Sequence, residues 1–144
     1  MSFSLDVNIL LYASDSDSPY FHQAKFFIES CIEREEVCYL AWPTIMSYLR
    51  ISTHPSIFDH PLTMEEAMGN IETLISLPHV RMLGEGDDFW QDFRSTAGEL
   101  PCRGNLIPDV HLAALLRQHG IKTLYTNDRD FLKFTFLDVK DPLA

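Results

Sequence analysis

Short apolar runs alternate with longer amphipathic stretches along the whole chain. The first run, Phe3-Ser4-Leu5, predicts a strand, and the Leu-rich residues 7–13 predict a short helix that the turn-rich segment Ser14 to Pro19 ends. Over residues 20–34 Phe21, Ala24, Phe27, Ile28 and Cys31 recur at helical spacing, with Lys25, Glu29 and Glu33 on the other face. A second strand is predicted over 37–41 and a helix over 43–53, opened by Pro43 and stopped by His54-Pro55. Thr63 and Glu66 have the spacing of a capping box for a helix that reaches about residue 76. Beyond Pro78 the pattern predicts a strand over 79–83, a helix over 87–97 and a loop over 98–104. A helix over 108–119 is closed by Gly120, followed by a fourth strand over 123–126 and a short edge strand near 136–139. This alternation predicts an α/β three-layer sandwich, doubly wound, with a mainly parallel central sheet of four or five strands in one domain over residues 1–144.

Three aspartates stand at the joints of this pattern. Asp6 follows the first strand, Asp128 follows the fourth, and Asp109 lies in the first turn of the helix that Pro108 opens. Each has an ordinary structural use: a helix cap at Asp6, a favourable helix-dipole position at Asp109, a turn at Asp128. In an open α/β sheet, however, the functional crevice lies beyond the carboxyl ends of the strands, so the three converge there. A few clustered carboxylates suit a hard divalent cation such as Mg²⁺, without histidine or thiolate.

The formal charge of −10 argues against a polyanionic partner until its distribution is considered. Residues 1–99 carry sixteen acids against five bases, whereas residues 100–144 carry six bases and five acids. Asp109 and Asp128 lie in that second segment with Arg103, Arg117, Lys122, Arg129 and Lys133, so a polyanion could approach once a cation sits among the acids. No apolar stretch is long enough for a membrane span, and Met-Ser-Phe-Ser-Leu-Asp lacks the basic start and apolar centre of a signal peptide, so a cytoplasmic location is expected. Cys31, Cys38 and Cys102 form no CxxC pair and read as small core residues.

The segments carrying the acids resemble those of a known family. Leu5-Asp6-Val7-Asn8-Ile9-Leu10-Leu11-Tyr12 is similar to the opening motif of PIN-domain ribonucleases. Pro108-Asp109-Val110-His111-Leu112-Ala113-Ala114-Leu115 and Thr126-Asn127-Asp128-Arg129-Asp130-Phe131 are similar to the third and fourth acidic motifs. With Tyr48-Leu49-Arg50-Ile51-Ser52-Thr53-His54-Pro55, the likeness is to VapC-type toxins of toxin–antitoxin systems and covers nearly the whole chain. The resemblance implies an endoribonuclease dependent on Mg²⁺ or Mn²⁺, with Asp6, Asp109 and Asp128 as cation ligands and a metal-activated water as the attacking group. It also implies a small antitoxin as partner, and a homodimer is the expected assembly.

One departure stands out. Many members carry a glutamate three residues before the arginine matching Arg50, where this chain has Ser47. Asp130 is the nearest motif acid that could compensate. Asn8 and Thr126 are candidates to orient carboxylates or water, and Arg50 to meet RNA phosphate. His111, about 200° around its helix from Asp109, is expected to face away from the acids, and Trp42 and Trp90 are expected in the core. Two other functions compete. A catalytically weak PIN-like protein acting by binding a partner or RNA is favoured by Ser47. An aspartate-nucleophile phosphatase or phosphoacceptor domain fits poorly, because the former wants an aspartate where Asn8 stands and the latter a lysine where Asp128 stands.

Overall fold

The computed structural model describes all residues from Met1 to Ala144. Its elements run β1 (Ser2–Leu5), α1 (Val7–Ser14), α2 (Phe21–Glu33), β2 (Val37–Ala41), α3 (Trp42–Ser52) and α4 (Met64–Ile75). Then come β3 (Val80–Leu83), α5 (Phe89–Ala97), α6 (Ile107–Gln118), β4 (Thr123–Tyr125) and β5 (Asp138–Lys140). The five strands form one sheet in the order β3-β2-β1-β4-β5, and every pairing is parallel.

Alternation along the strands sorts the core into two layers. Phe3, Leu5, Cys38, Leu40 and Val80 face one way, onto Leu10 of α1, Cys31 of α2, Ile45 and Tyr48 of α3 and Ala67 and Ile71 of α4. Ala41, Leu83 and Leu124 face the other way, onto Val110, Ala113 and Leu116 of α6 and onto Phe131 and Phe134. Helix α6 is therefore apolar almost all round, as a helix buried against a sheet must be. The order of the strands also locates the crevice. The chain lays β2 and β3 to one side of β1, then crosses to place β4 and β5 on the other, so the direction reverses between β1 and β4.

Three local departures from the sequence pattern have physical causes. Helix α5 starts at Phe89 rather than 87, because Asp88 takes a left-handed conformation at φ 65°. The last strand covers 138–140, since Phe134 and Leu137 are drawn into the core beneath the sheet. Residues 129–133 form a 3-10 turn, with the Asp128 side chain accepting from the Asp130 amide at its start.

Thr63 accepts from the Glu66 amide at 3.1 Å and Glu66 accepts from the Thr63 amide at 3.0 Å, the reciprocal box that opens α4. Leu115 of α6 is fully buried. Leu115→Ala is expected to cost roughly 2–5 kcal/mol in urea unfolding through the cavity it leaves. Thr63→Ala is expected to cost about 1 kcal/mol. Equal losses for the two would mean that α6 is not packed as described.

Candidate active site at the sheet switch point

Asp6 is the residue at which β1 becomes α1. Its extended backbone lets it cap the helix, with Oδ1 accepting from Val7 N at 2.8 Å. Its second oxygen accepts from the Thr126 hydroxyl at 2.7 Å, across the pairing of β1 with β4. Thr126 in turn accepts from the Asp128 amide at 2.9 Å and from Asn8 Nδ2 at 3.2 Å. A single buried hydroxyl thus ties Asp6, Asn8 and the Asp128 backbone together.

Asp109 arrives from the first turn of α6, and a carboxylate oxygen from each of Asp109, Asp128 and Asp130 lies within 4.8 Å of the others. Asp6, Asp109 and Ser47 line one cavity of about 280 Å³, walled by Pro43 and Thr44 of α3 and by Phe131. Asp130 is the exposed member of the group, and Lys133 reaches it at 3.5 Å. Arg50 is exposed at the end of α3 and outside the cavity lining. Of the bases in the second segment, Arg117 is already engaged by Glu99 at 2.7 Å. Arg129 borders a second cavity of about 250 Å³ with Asp128.

Crowding leaves its mark on proton affinity. Burial pushes the Asp109 carboxyl up to about 7, helped by the charges of Asp128, Asp6 and Asp130, while Lys133 offsets part of the rise. Asp6 is also raised, by burial first and by Asp128 last, against the hydrogen bonds from Thr126 and Val7. Both shifts come first from burial, with like-charge crowding adding to it. The donor set is all carboxylate, and the Asn8 Oδ1 atom is buried without a hydrogen bond. Such a set fits a hard divalent cation and offers nothing to a soft one.

A family model, the PIN domain, matches residues 4–137. The chain belongs to the PIN domain family. Nucleases with this domain are generally divalent-metal dependent, in keeping with the acidic cluster here. Along its full length the chain is 43% identical to Ribonuclease VapC48 of Mycobacterium tuberculosis, covering 99% of that protein. Among solved structures it is similar to VapC20 of Mycobacterium tuberculosis, described as a Sarcin-Ricin loop cleaving toxin. The TM-score is 0.71 at 17% identity, over 96% of this chain and 98% of that one. It is also similar to VapBC-1 of nontypeable Haemophilus influenzae, with a TM-score of 0.70 at 17% identity and full coverage of both chains.

One reading of the PIN sequence needs correction. Trp42 and Trp90 are not core residues, being 44% and 65% exposed. Phe89 takes the inward position of α5, so Trp90, one residue on, is turned out and stacks on Phe93. His111 turns away from the acids toward Glu85, as its place on the helix predicts, yet it still lines the same cavity as Asp6 and Asp109. The cavity wraps around the first turn of α6, and helix periodicity alone could not reveal that. Glu85, which holds His111 at 2.6 Å, had no sequence signal at all.

The raised Asp109 carboxyl has a consequence for stability. A group whose folded value lies near 7, against an ordinary 3.8, favours folding fully only below its ordinary value. That contribution is lost as the pH rises through 7. The metal-free protein is therefore expected to melt lower at about pH 8 than at about pH 5.5. Asp109→Asn should narrow this gap. A gap of the same size in the variant, measured by thermal unfolding in EDTA, would show that Asp109 does not carry the effect.

Proposed function

We propose that the protein is a metal-dependent endoribonuclease and the toxin component of a toxin–antitoxin system. The observation that carries this reading is the cluster of Asp109, Asp128 and Asp130 at the switch point of a PIN sheet, with Asp6 lining a cavity beside Asp109 and with Asp109 pushed up to about 7 by burial and the neighbouring acids. The 43% identity to a ribonuclease over the whole chain supports the choice of RNA as substrate. Asp6, Asp109 and Asp128 hold the cation, Mg²⁺ or Mn²⁺, and Asp130 adds a carboxylate at the rim. When bound, a divalent cation supplies the positive charge that draws in a phosphodiester, acidifies water and steadies the developing negative charge.

The chain's own residues set the geometry. Thr126 and the Val7 amide fix the two oxygens of Asp6 in direction, and Thr126 holds the Asp128 backbone against it. Asn8 steadies the hydroxyl from the α1 side. Ile107, Leu112 and Phe131 supply the apolar part of the cavity wall. Ser47 places an uncharged hydroxyl in the cavity lining, where the family resemblance implies a carboxylate. Arg129, beside Asp128, is better placed than Arg50 to meet a neighbouring phosphate.

The partner is an antitoxin, and the working location is the cytoplasm, in keeping with the absence of a helix long and apolar enough to cross a membrane. A groove of about 350 Å³ between α1, α2, α3 and α4, lined by Leu10, Ala13, Ile28, Ile32 and Leu74, suits an amphipathic antitoxin segment. A basic side chain of that segment, laid among the acids, would replace the cation electrostatically. The protein acts as one domain, and a homodimer would use the exposed Trp42 and Met46 of α3 as apolar surface.

Asp6→Asn, Asp109→Asn and Asp128→Asn are each expected to remove most cleavage of total RNA in Mg²⁺ while keeping the fold. Cleavage at the parent rate by all three would overturn the reading. Ser47→Glu is expected to tighten Mg²⁺ and Mn²⁺ binding, because affinity at an oxygen site rises with ligand charge. Unchanged affinity by calorimetry would mean that Ser47 contributes nothing to the site. A protein that binds RNA or antitoxin but cleaves no RNA with either metal would instead favour the catalytically weak alternative.

A further inference from the structure

His111 stands in the cleft but outside the acid constellation. An α-helix turns about 100° per residue, so Pro108 and Leu112 take the middle of the arc of α6 that faces the cavity. Asp109 and His111 take its two edges, and Val110 points the opposite way into the core. One edge joins the acids. The other joins the loop after β3, where Glu85 Oε1 lies 2.6 Å from His111 Nε2. The imidazole also packs against Phe89, with ring centres 5.5 Å apart.

The hydrogen bond holds Glu85 below the usual carboxylate range, so it is an ionised acceptor. A carboxylate acceptor fixes the Nε2 proton and leaves Nδ1 free, and no group of the chain occupies it. A surface ion pair contributes little to stability, so the value of this arrangement lies in where it puts Nδ1. Resting on the ribonuclease reading above, we infer that His111, positioned by Glu85 and Phe89, contacts the ribose 2′-hydroxyl of a nucleotide beside the scissile phosphate. It thereby helps the cleft to distinguish RNA from DNA. A hydroxyl can donate to a bare Nδ1 and can equally accept from a protonated one, so it suits either state of the ring. A phosphate oxygen suits only the protonated ring and meets the adjacent negative Glu85. A base edge presents a fixed donor or acceptor, whereas the 2′-hydroxyl is the group that marks RNA.

The test is binding of a short fluorescein-labelled single-stranded RNA and of DNA of the same sequence with uracil retained. It is done in Mg²⁺ by anisotropy, with Asp128→Asn present throughout so that the RNA is not consumed. His111→Ala is expected to weaken RNA binding about fivefold to tenfold, the scale of one lost hydrogen bond, while DNA binding stays within about twofold. Glu85→Ala should lose part of the RNA preference, and Glu85→Gln, which still accepts from Nε2, should keep it. His111→Gln, whose amide can meet both Glu85 and a hydroxyl, should keep most of it and provides the reading if the alanine variant melts early. Equal weakening of RNA and DNA, or undiminished RNA binding, overturns the inference alone. Absence of any RNA cleavage by the unsubstituted protein overturns the ribonuclease reading and this inference with it.

Discussion

Parallel pairing of β1 with β4 sets Ser4 opposite Leu124 and Leu5 opposite Tyr125, and the Asp6 amide continues the ladder by donating to Tyr125 O at 3.0 Å. Two segments from opposite ends of the chain therefore finish side by side. Immediately beyond the last pair, the Thr126 hydroxyl spends its one proton on Asp6 and both lone pairs on Asp128 N and Asn8. Everything else at the cleft is arranged around this joint. Helix α6 is held beneath it by its apolar faces, and its first turn delivers Asp109 to the place where the strand ends meet.

The joint is stable in its hydrogen bonds and uncomfortable in its charge. Asp6 is nearly buried and accepts two hydrogen bonds, yet burial still raises its proton affinity, and Asp109 is raised further. Desolvated, crowded carboxylates of this kind make a site selective. It favours a compact divalent cation that several carboxylates can share, and it repels a phosphate until such a cation arrives. The protein's strong overall negative charge is thus compatible with a polyanionic substrate. A cation held by the acids would make affinity locally, with Arg129 and Lys133 close at hand, rather than through a broad basic surface.

Much of this was legible in the residue pattern. The alternation of apolar runs and amphipathic stretches carried the layered fold, and the placing of Asp6 and Asp128 after strands carried the crevice, because strand ends are topological positions that sequence marks well. Other features depend on tertiary packing and left no local trace. The parallel pairing of β5 is made by only three residues, and the apolar run before it packs as a turn. Trp90 is outward because Phe89 won the inward position. His111 belongs to the cleft because the cavity curves around the end of α6, and Glu85 reaches it from a loop that carries no motif.

The central claim is that the aspartates at the β1–β4 joint share a divalent cation. Anomalous diffraction from crystals grown with Mn²⁺ tests it most directly. The account predicts a manganese peak bounded by Asp6, Asp109 and Asp128, with Asp130 at its rim. No peak there at saturating Mn²⁺, or a peak bound only elsewhere on the surface, would contradict it.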